Sequence, residues 1–346
     1  MPSPTHILVF RFSAMGDVAM TVPVLRALTH QYPSLKITVV TKPFFKPIFS
    51  DLKNTTVFPA DTKNKYKGIL GLYQLSKKLN ALDFDVVADL HQVLRTRILK
   101  IFLKHTPFIS VDKGRSEKKK LISGQVFYKL KTTHQRYAEV FKKLGYPIDL
   151  SQTIIPEHKQ LNKKLRLLYF KQNLPRIGIA PFAAHEGKMY PLTKMKKVIQ
   201  ALSNSSNVVL FGGGKKEIKQ LKHIANLYKN TTSVAGQLYF EEELSLISNL
   251  DIMISMDSGN GHLAAMLGVK VLTIWGVTHP YAGFAPYNQP EDYSLIPSRK
   301  DFPLIPTSIF GNKYPEHYKN VAGSISPETI VHKIESIIKP KTDTVS

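Results

Sequence analysis

Residues 251–262 read DIMISMDSGNGH and run without a break into 263–268, LAAMLG. Ile252, Met253 and Ile254 are apolar and β-prone, 257–262 is a polar turn holding Gly259 and Gly261, and the alanine- and leucine-rich run beyond favours a helix. A strand that empties through a glycine-bearing turn into a helix is a natural anion site. The first backbone N–H groups of the helix have no intrahelical partner, and the helix dipole adds partial positive charge there. The phosphates of a nucleotide fit such a turn. A plainer role fits equally: Asp257 or Ser258 can cap the helix with a side-chain oxygen. On these residues alone both readings stand.

The pattern around this stretch alternates. Upstream of it, strands are predicted over 176–180, 207–211 and 232–234, with helices over 192–203, 217–228 and 241–249. Downstream come a strand at 271–275, a loop rich in Pro, Gly, Tyr and Asn over 276–325, and an amphipathic helix at 327–338 with Pro327 in its first turn. The first half repeats the alternation, with strands over 6–12, 36–41, 55–58 and 85–89 and helices over 18–32, 69–82 and 93–103. The basic stretch 157–171, bracketed by Pro156 and Pro175, reads as a connector. Strands alternating with helices mean βαβ units and mainly parallel sheets. The chain is therefore α/β, with two doubly wound, Rossmann-like halves at 1–160 and 172–325 and a helix and tail at 326–346. Neither first strand–helix turn, SAMGD at 13–17 or PFAAHEGK at 181–188, carries GxGxxG, which argues against a plain dinucleotide dehydrogenase. Two such halves facing across a cleft suit a nucleotide-sugar enzyme, with ligands beyond the carboxyl ends of the strands.

Composition narrows the class. With 346 residues and 43% hydrophobic content the chain is long enough for two domains with proper cores. It has no cysteine, which removes disulfides, thiolate chemistry and cysteine-ligated zinc and is compatible with a reducing cytoplasm. Arg11 interrupts the apolar start, so no signal peptide is expected, and no apolar run approaches the ~20 residues needed to cross a bilayer. Against 25 acidic residues stand 48 basic ones, a net charge of +23, which implies an anionic partner: nucleic acid, an acidic membrane surface or a polyanionic substrate.

Candidate chemical groups fall just after predicted strands. Asp17 follows the first strand, where a carboxylate can take a proton from an acceptor hydroxyl or simply complement a helix dipole. Lys188, in the loop after the strand at 176–180, is placed to neutralise a diphosphate or to lie solvated on the surface. Gly212, Gly213 and Gly214 let backbone approach a ligand, and Glu217 beyond them can accept from a sugar hydroxyl or serve as a helix-start acid. Basic residues gather in the first half, among them Arg95, Arg97, Arg115 and Arg136, and arginine suits bidentate binding of carboxylates and phosphates. The run Lys118, Lys119, Lys120 reads as a solvated loop or a membrane-surface patch. His91, His134, His185 and His262 share no metal-ligand spacing, so no metal site is expected.

At this point the sequence resembles a known family. RFSAMGDVAMTVPVLRAL at 11–28, SMDSGNGHLAAMLGVKVLTIWG at 255–276 and the VTHPYAG that follows are similar to the ADP-heptose:lipopolysaccharide heptosyltransferases, glycosyltransferase family 9. The pairing of S-x-x-G-D-x5-P with a distant D-S-G-x-x-H-L-A-A is specific, and the likeness extends from about residue 6 to the final helix. It implies a GT-B fold, inversion at the anomeric carbon without a covalent intermediate, and no cofactor or metal. It implies Asp17 as catalytic base, Asp257, Ser258, Gly259 and His262 as the donor-binding turn, Lys188 as the phosphate-binding lysine and Glu217 as a donor contact. The implied donor is ADP-heptose and the implied acceptor the anionic, Kdo- and phosphate-bearing inner core on lipid A, met at the cytoplasmic face of the inner membrane. Arg95, Arg97, Arg115 and Arg136 are the expected acceptor contacts. Three positions depart from the family pattern: Ala183 and Ala184 stand where hydroxyl residues are common, and Gly261 where a larger residue is common, an exchange expected to loosen the helix start by up to about 1 kcal/mol. Three rivals remain in view: a family 9 transferase for another sugar, a two-Rossmann sugar-nucleotide epimerase, and a basic nucleic-acid-binding protein, for which no recognised motif is present.

Overall fold

The computed structural model describes residues 5–103, 106–170 and 173–338. Lys171 at the end of the predicted connector, residue 172 at the start of the predicted second half, and residues 1–4 and 339–346 lie outside these. The chain divides into two units, Met1–Arg115 with Lys131–Pro156, and Ser116–Leu130 with Glu157–Ser346.

In the first unit, short apolar strands alternate with helices as their periodicity requires. They run β1 (His6–Phe10), α1 (Met15–Ala19), α2 (Thr21–Gln31), β2 (Lys36–Thr41), β3 (Thr55–Pro59), α3 (Gly68–Asn80), β4 (Val86–Asp89), α4 (Leu94–Phe102) and β5 (Phe108–Ser110). The strands form one parallel sheet in the order β3-β2-β1-β4-β5, with the chain reversing its direction of travel between β1 and β4. Leu8, Phe10, Val40 and Val87 of the sheet pack with Leu72, Leu75 and Leu79 of α3 and Leu99 of α4. Each such side chain removed from water stabilises by roughly 1.5–3 kcal/mol. α5 (Arg115–Ile122) follows, then α6 (Thr133–Lys143), which returns to the first unit and packs on α2.

The second unit continues with α7 (Lys163–Tyr169), β6 (Arg176–Ala180), α8 (Leu192–Leu202), β7 (Asn207–Leu210), α9 (Lys215–Ala225), β8 (Thr231–Ser233), α10 (Phe240–Ile247), β9 (Ile252–Met256), α11 (Gly259–Met266), β10 (Lys270–Ile274), β11 (Ser294–Leu295) and α12 (Pro327–Ile338). Its parallel sheet has the order β11-β10-β9-β6-β7-β8. β9, buried along its whole length, sits between β10 and β6, so the stretch quoted first forms the middle of the sheet.

Several expectations need correction. The tract 157–171 is no bare connector: α7 lies within it, its start capped by Asn162, whose side chain accepts the Leu165 N–H at 2.8 Å, and its Leu165 and Tyr169 are buried. Lys118, Lys119 and Lys120 stand on helix α5, anchored by buried Leu121, and this segment groups with the second unit rather than with residues 1–160. The amphipathic helix expected over 327–338 forms as α12, and its Ile330, Ile334 and Ile337 enter the core against α8. The tract 276–325 is mostly turns, yet Ser294 and Leu295 add a strand beside Thr273 and Ile274. The helix expected over 18–32 begins earlier and is interrupted at Met20, where α1 gives way to α2.

Candidate active site

In the second unit, β10, β9 and β6 lie side by side and point the same way, so whatever follows each of them emerges along one edge. Asp257 follows β9, Lys188 ends a 3-10 turn after β6, and Thr278 follows β10. The three meet. Lys188 Nζ lies 2.8 Å from Asp257 Oδ2 and donates to the Asp257 carbonyl at 3.3 Å, while Thr278 Oγ1 donates to the same Oδ2 at 2.9 Å. An ammonium has three donors; two are engaged here, which leaves one for a ligand. Lys188 is also held along its stem, because Gly311 stands where a Cβ would come within 3.1 Å of its Cε. The Val277 N–H donates to the Gly187 carbonyl at 2.8 Å and ties the β10 and β6 ends together.

This geometry separates the two roles left open for the turn. Asp257 Oδ2 is taken by Lys188 and Thr278, and Ser258, the N-cap of α11, makes no side-chain cap bond, its Oγ lying 3.3 Å from Ser255 Oγ. At α6, by contrast, Thr132 Oγ1 accepts the Gln135 N–H at 3.1 Å. The α11 start, with Gly259 at its first position and buried His262 in its first turn, therefore keeps amides that no side chain caps, beside a lysine. Glu217 lies in the first turn of α9, where its Oε2 accepts the Gly213 N–H at 2.8 Å and closes the glycine turn. A Cβ on Gly212 would lie 2.7 Å from Leu221 Cδ1 and 3.1 Å from that oxygen, so the close approach of α9 requires the glycine.

In the first unit, Asp17 occupies the third position of α1 and keeps 31% of its side chain exposed. Arg11, which follows β1, reaches it with Nη2 at 2.7 Å and anchors itself by Nη1 to the Leu90 carbonyl at 2.6 Å. The Ala14 N–H adds a bond to the same Asp17 Oδ2 at 3.3 Å. His91 accepts the Phe12 N–H through Nδ1 at 3.4 Å. Burial first, and then the charges of Arg11, Lys113, Arg95 and Lys42, push its pKa down to about 3, so its ring is neutral. Lys113, bonded to the Gln92 carbonyl at 3.2 Å, has its pKa lowered by burial and by Arg11 and Arg115, with Asp17 and Asp89 opposing. Lys42 is lowered by burial, Lys63 and Arg95. Asp17, beside Arg11 and Lys113, thus stands next to a ring of crowded cations about His91 that an anion would relieve.

The expected arginines separate. Arg95 belongs to this ring, its guanidinium 5.8 Å from the Phe12 ring centre. Arg97, two residues on along α4, points to another side and is exposed. Arg115 is exposed and acts on Lys113. Arg136 is buried at 3% exposure, 3.9 Å from Asp112 and against Gly114, so it braces a turn instead of facing an acceptor. Among the described residues no group of three or more His, Cys, Asp or Glu side chains is arranged to hold a metal ion.

The model of glycosyltransferase family 9 (heptosyltransferase) matches residues 72–300. The chain belongs to glycosyltransferase family 9. It is 24% identical over 300 residues to the lipopolysaccharide core heptosyltransferase OpsX of Haemophilus influenzae, with 83% of each chain covered. A family 9 glycosyltransferase from Veillonella parvula superposes with a TM-score of 0.74 at 18% identity, covering 96% of this chain and 97% of that one. The E. coli heptosyltransferase WaaC with ADP gives 0.69 at 18% identity, covering 96% and 99%. These likenesses carry the fold, GT-B, with two Rossmann-like domains.

In this family 9 chain Arg11, Lys42, Lys113 and Thr278 join the site residues without having been expected among them. Their signal was positional: Arg11 and Lys42 directly follow β1 and β2, and Lys113 and Thr278 come within four residues of the ends of β5 and β10. A rule that takes every polar residue at a carboxyl strand end would have found them.

Proposed function

We propose that this glycosyltransferase moves a heptose from ADP-heptose to the anionic inner core of lipopolysaccharide or lipooligosaccharide, working at the inner face of the cytoplasmic membrane. The observation that carries the proposal is the uncapped start of α11 beside Lys188, at the meeting of three strand ends in a family 9 chain. The donor's diphosphate takes that seat. Asp17 receives the proton of an acceptor hydroxyl, whose oxygen attacks the anomeric carbon as the bond from that carbon to the phosphate oxygen breaks. The sugar inverts and ADP leaves with its new negative charge opposed by the amides and by Lys188. The cations about Asp17 hold the acceptor's carboxylates or phosphates, and a closed site limits loss of the donor to water. Among the described residues no helix is long and apolar enough to cross a membrane, so the association proposed is peripheral.

The test is a panel of nucleotide-sugars offered with purified core acceptors, followed by nucleotide release. ADP release that needs both ADP-heptose and acceptor supports the proposal. Release with another nucleotide-sugar moves the chain to a different donor. Epimerised product without acceptor, or salt-steep nucleic-acid binding without donor binding, overturns it.

A further inference from the structure

Every strand of the first sheet is parallel, so each helix or turn that follows a strand starts at the same edge, the one that carries Asp17 and His91. Four large apolar side chains at or beside those starts stand in water: Phe44 after β2, Ile69 and Leu70 at the head of α3, and Leu94 at the head of α4. Leu70 and Leu94 keep 78% and 73% of their surface exposed with the whole chain present. A single exposed leucine is ordinary, but four large apolar residues gathered on one edge mark an interaction surface.

Cations are interleaved with them. Exposed Lys63, Lys65 and Lys67 occupy the loop that leads into Ile69 and Leu70. On α4, Leu94, Arg97 and Ile101 are all exposed, and their spacing of three and then four residues places them along one outward stripe. The lysine loop is held against α3, because Gly71 stands where a Cβ would approach the Tyr66 Cα to 2.8 Å and Tyr66 is itself buried. The apolar and basic groups therefore present themselves together.

We propose that this edge docks on an anionic lipid surface. Ile69, Leu70 and Leu94 enter the boundary between headgroups and acyl chains, and the loop lysines and Arg97 lie on lipid phosphates. Charge complementarity selects this occupant. The chain carries +23, and apolar side chains ringed by Lys and Arg are the composition that binds acidic bilayers. The inference rests on the proposed lipid-borne acceptor and adds how that acceptor is reached: its acyl chains stay in the bilayer while its headgroup meets Asp17 on the same edge.

The experiment uses the full chain and vesicles of phosphatidylcholine with and without phosphatidylglycerol. Wild type should sediment with the acidic vesicles and be released by salt. The variant Ile69→Glu/Leu70→Glu/Leu94→Glu should lose at least about tenfold in vesicle affinity, since each lost burial is worth more than one decade at full depth. Lys65→Ser/Lys67→Ser should weaken binding to acidic vesicles only. Lys219→Ser/Lys222→Ser/Lys229→Ser, on the second unit, should change little. Transfer to a deacylated, water-soluble acceptor should survive in all three variants and reports a folded site. Wild type that ignores acidic vesicles, or a glutamate variant that binds them as well as wild type, overturns the docking surface. So does a wild-type dimer that the glutamate variant turns into a monomer with vesicle binding unchanged. Wild type that transfers nothing to the soluble acceptor overturns the activity instead, with the vesicle measurements still deciding the surface.

Discussion

Asp17 receives both of its hydrogen bonds on one oxygen, Oδ2, from Arg11 at 2.7 Å and from the Ala14 N–H at 3.3 Å. Oδ1 is left to meet an incoming hydroxyl. Arg11 is itself locked by the Leu90 carbonyl, so it sets the direction of the carboxylate. Arg11→Lys shortens the fork that joins Leu90 to Asp17, and Arg11→Met removes it. Both variants should lower kcat, the Met variant by on the order of 10²-fold, the scale set by misplacement of a reacting group, while the donor KM stays near its wild-type value. Steady-state kinetics with varied ADP-heptose check this; a change confined to donor KM contradicts it. Arg136 shows why arginines were hard to sort by sequence. An arginine over a glycine turn and an arginine awaiting an acceptor are written alike, and only burial, 3% here, tells them apart.

At the scale of elements, Gly261 changes meaning. By helix propensity alone it weakens α11. In the structure it is buried, and a Cβ there would stand 2.9 Å from Ser255 Oγ, so the glycine lets α11 lie close on β9. Gly261→Ala should therefore destabilise, by about 1–3 kcal/mol as overpacking does, rather than stabilise. Denaturant unfolding of the two proteins decides the sign. α10 carries a second testable strain. Burial of Glu243 pushes its pKa up to about 7 from an ordinary 4.5. Between those values the folded state binds more protons than the unfolded state, so stability falls as pH rises across that window and levels above it. Glu243→Gln should melt higher than wild type at pH 8, with the gap closing towards pH 4.5; a gap independent of pH contradicts the assignment. The same scale shows what could be read from sequence. β1, β2, β9 and β10 are apolar, bounded by polar turns and were legible, as was α12 by its period. α7 was hidden by Lys163, Lys164 and Arg166, and β5 by its three-residue length, because a charged helix and a very short strand leave no periodic signal. Asp17, Lys188 and the 257–262 turn were legible as motifs, whereas the cations gathered about His91 come from four separate strand ends and meet only in three dimensions.

For the molecule as a whole, the two units divide the proposed work. The second holds an uncapped helix start and a fixed lysine for the nucleotide, and the first holds a directed carboxylate among cations, on an edge that also bears exposed leucines. Neither set of groups completes a glycosyl transfer alone. If the work is so divided, removing the base must leave nucleotide binding untouched. The most direct measurement is therefore made on Asp17→Asn, with ADP affinity by calorimetry and heptose transfer to a purified core acceptor followed on the same preparation. The expected result is ADP affinity equal to wild type with transfer abolished. Full transfer by that variant, or a parallel loss of ADP affinity, would contradict the account.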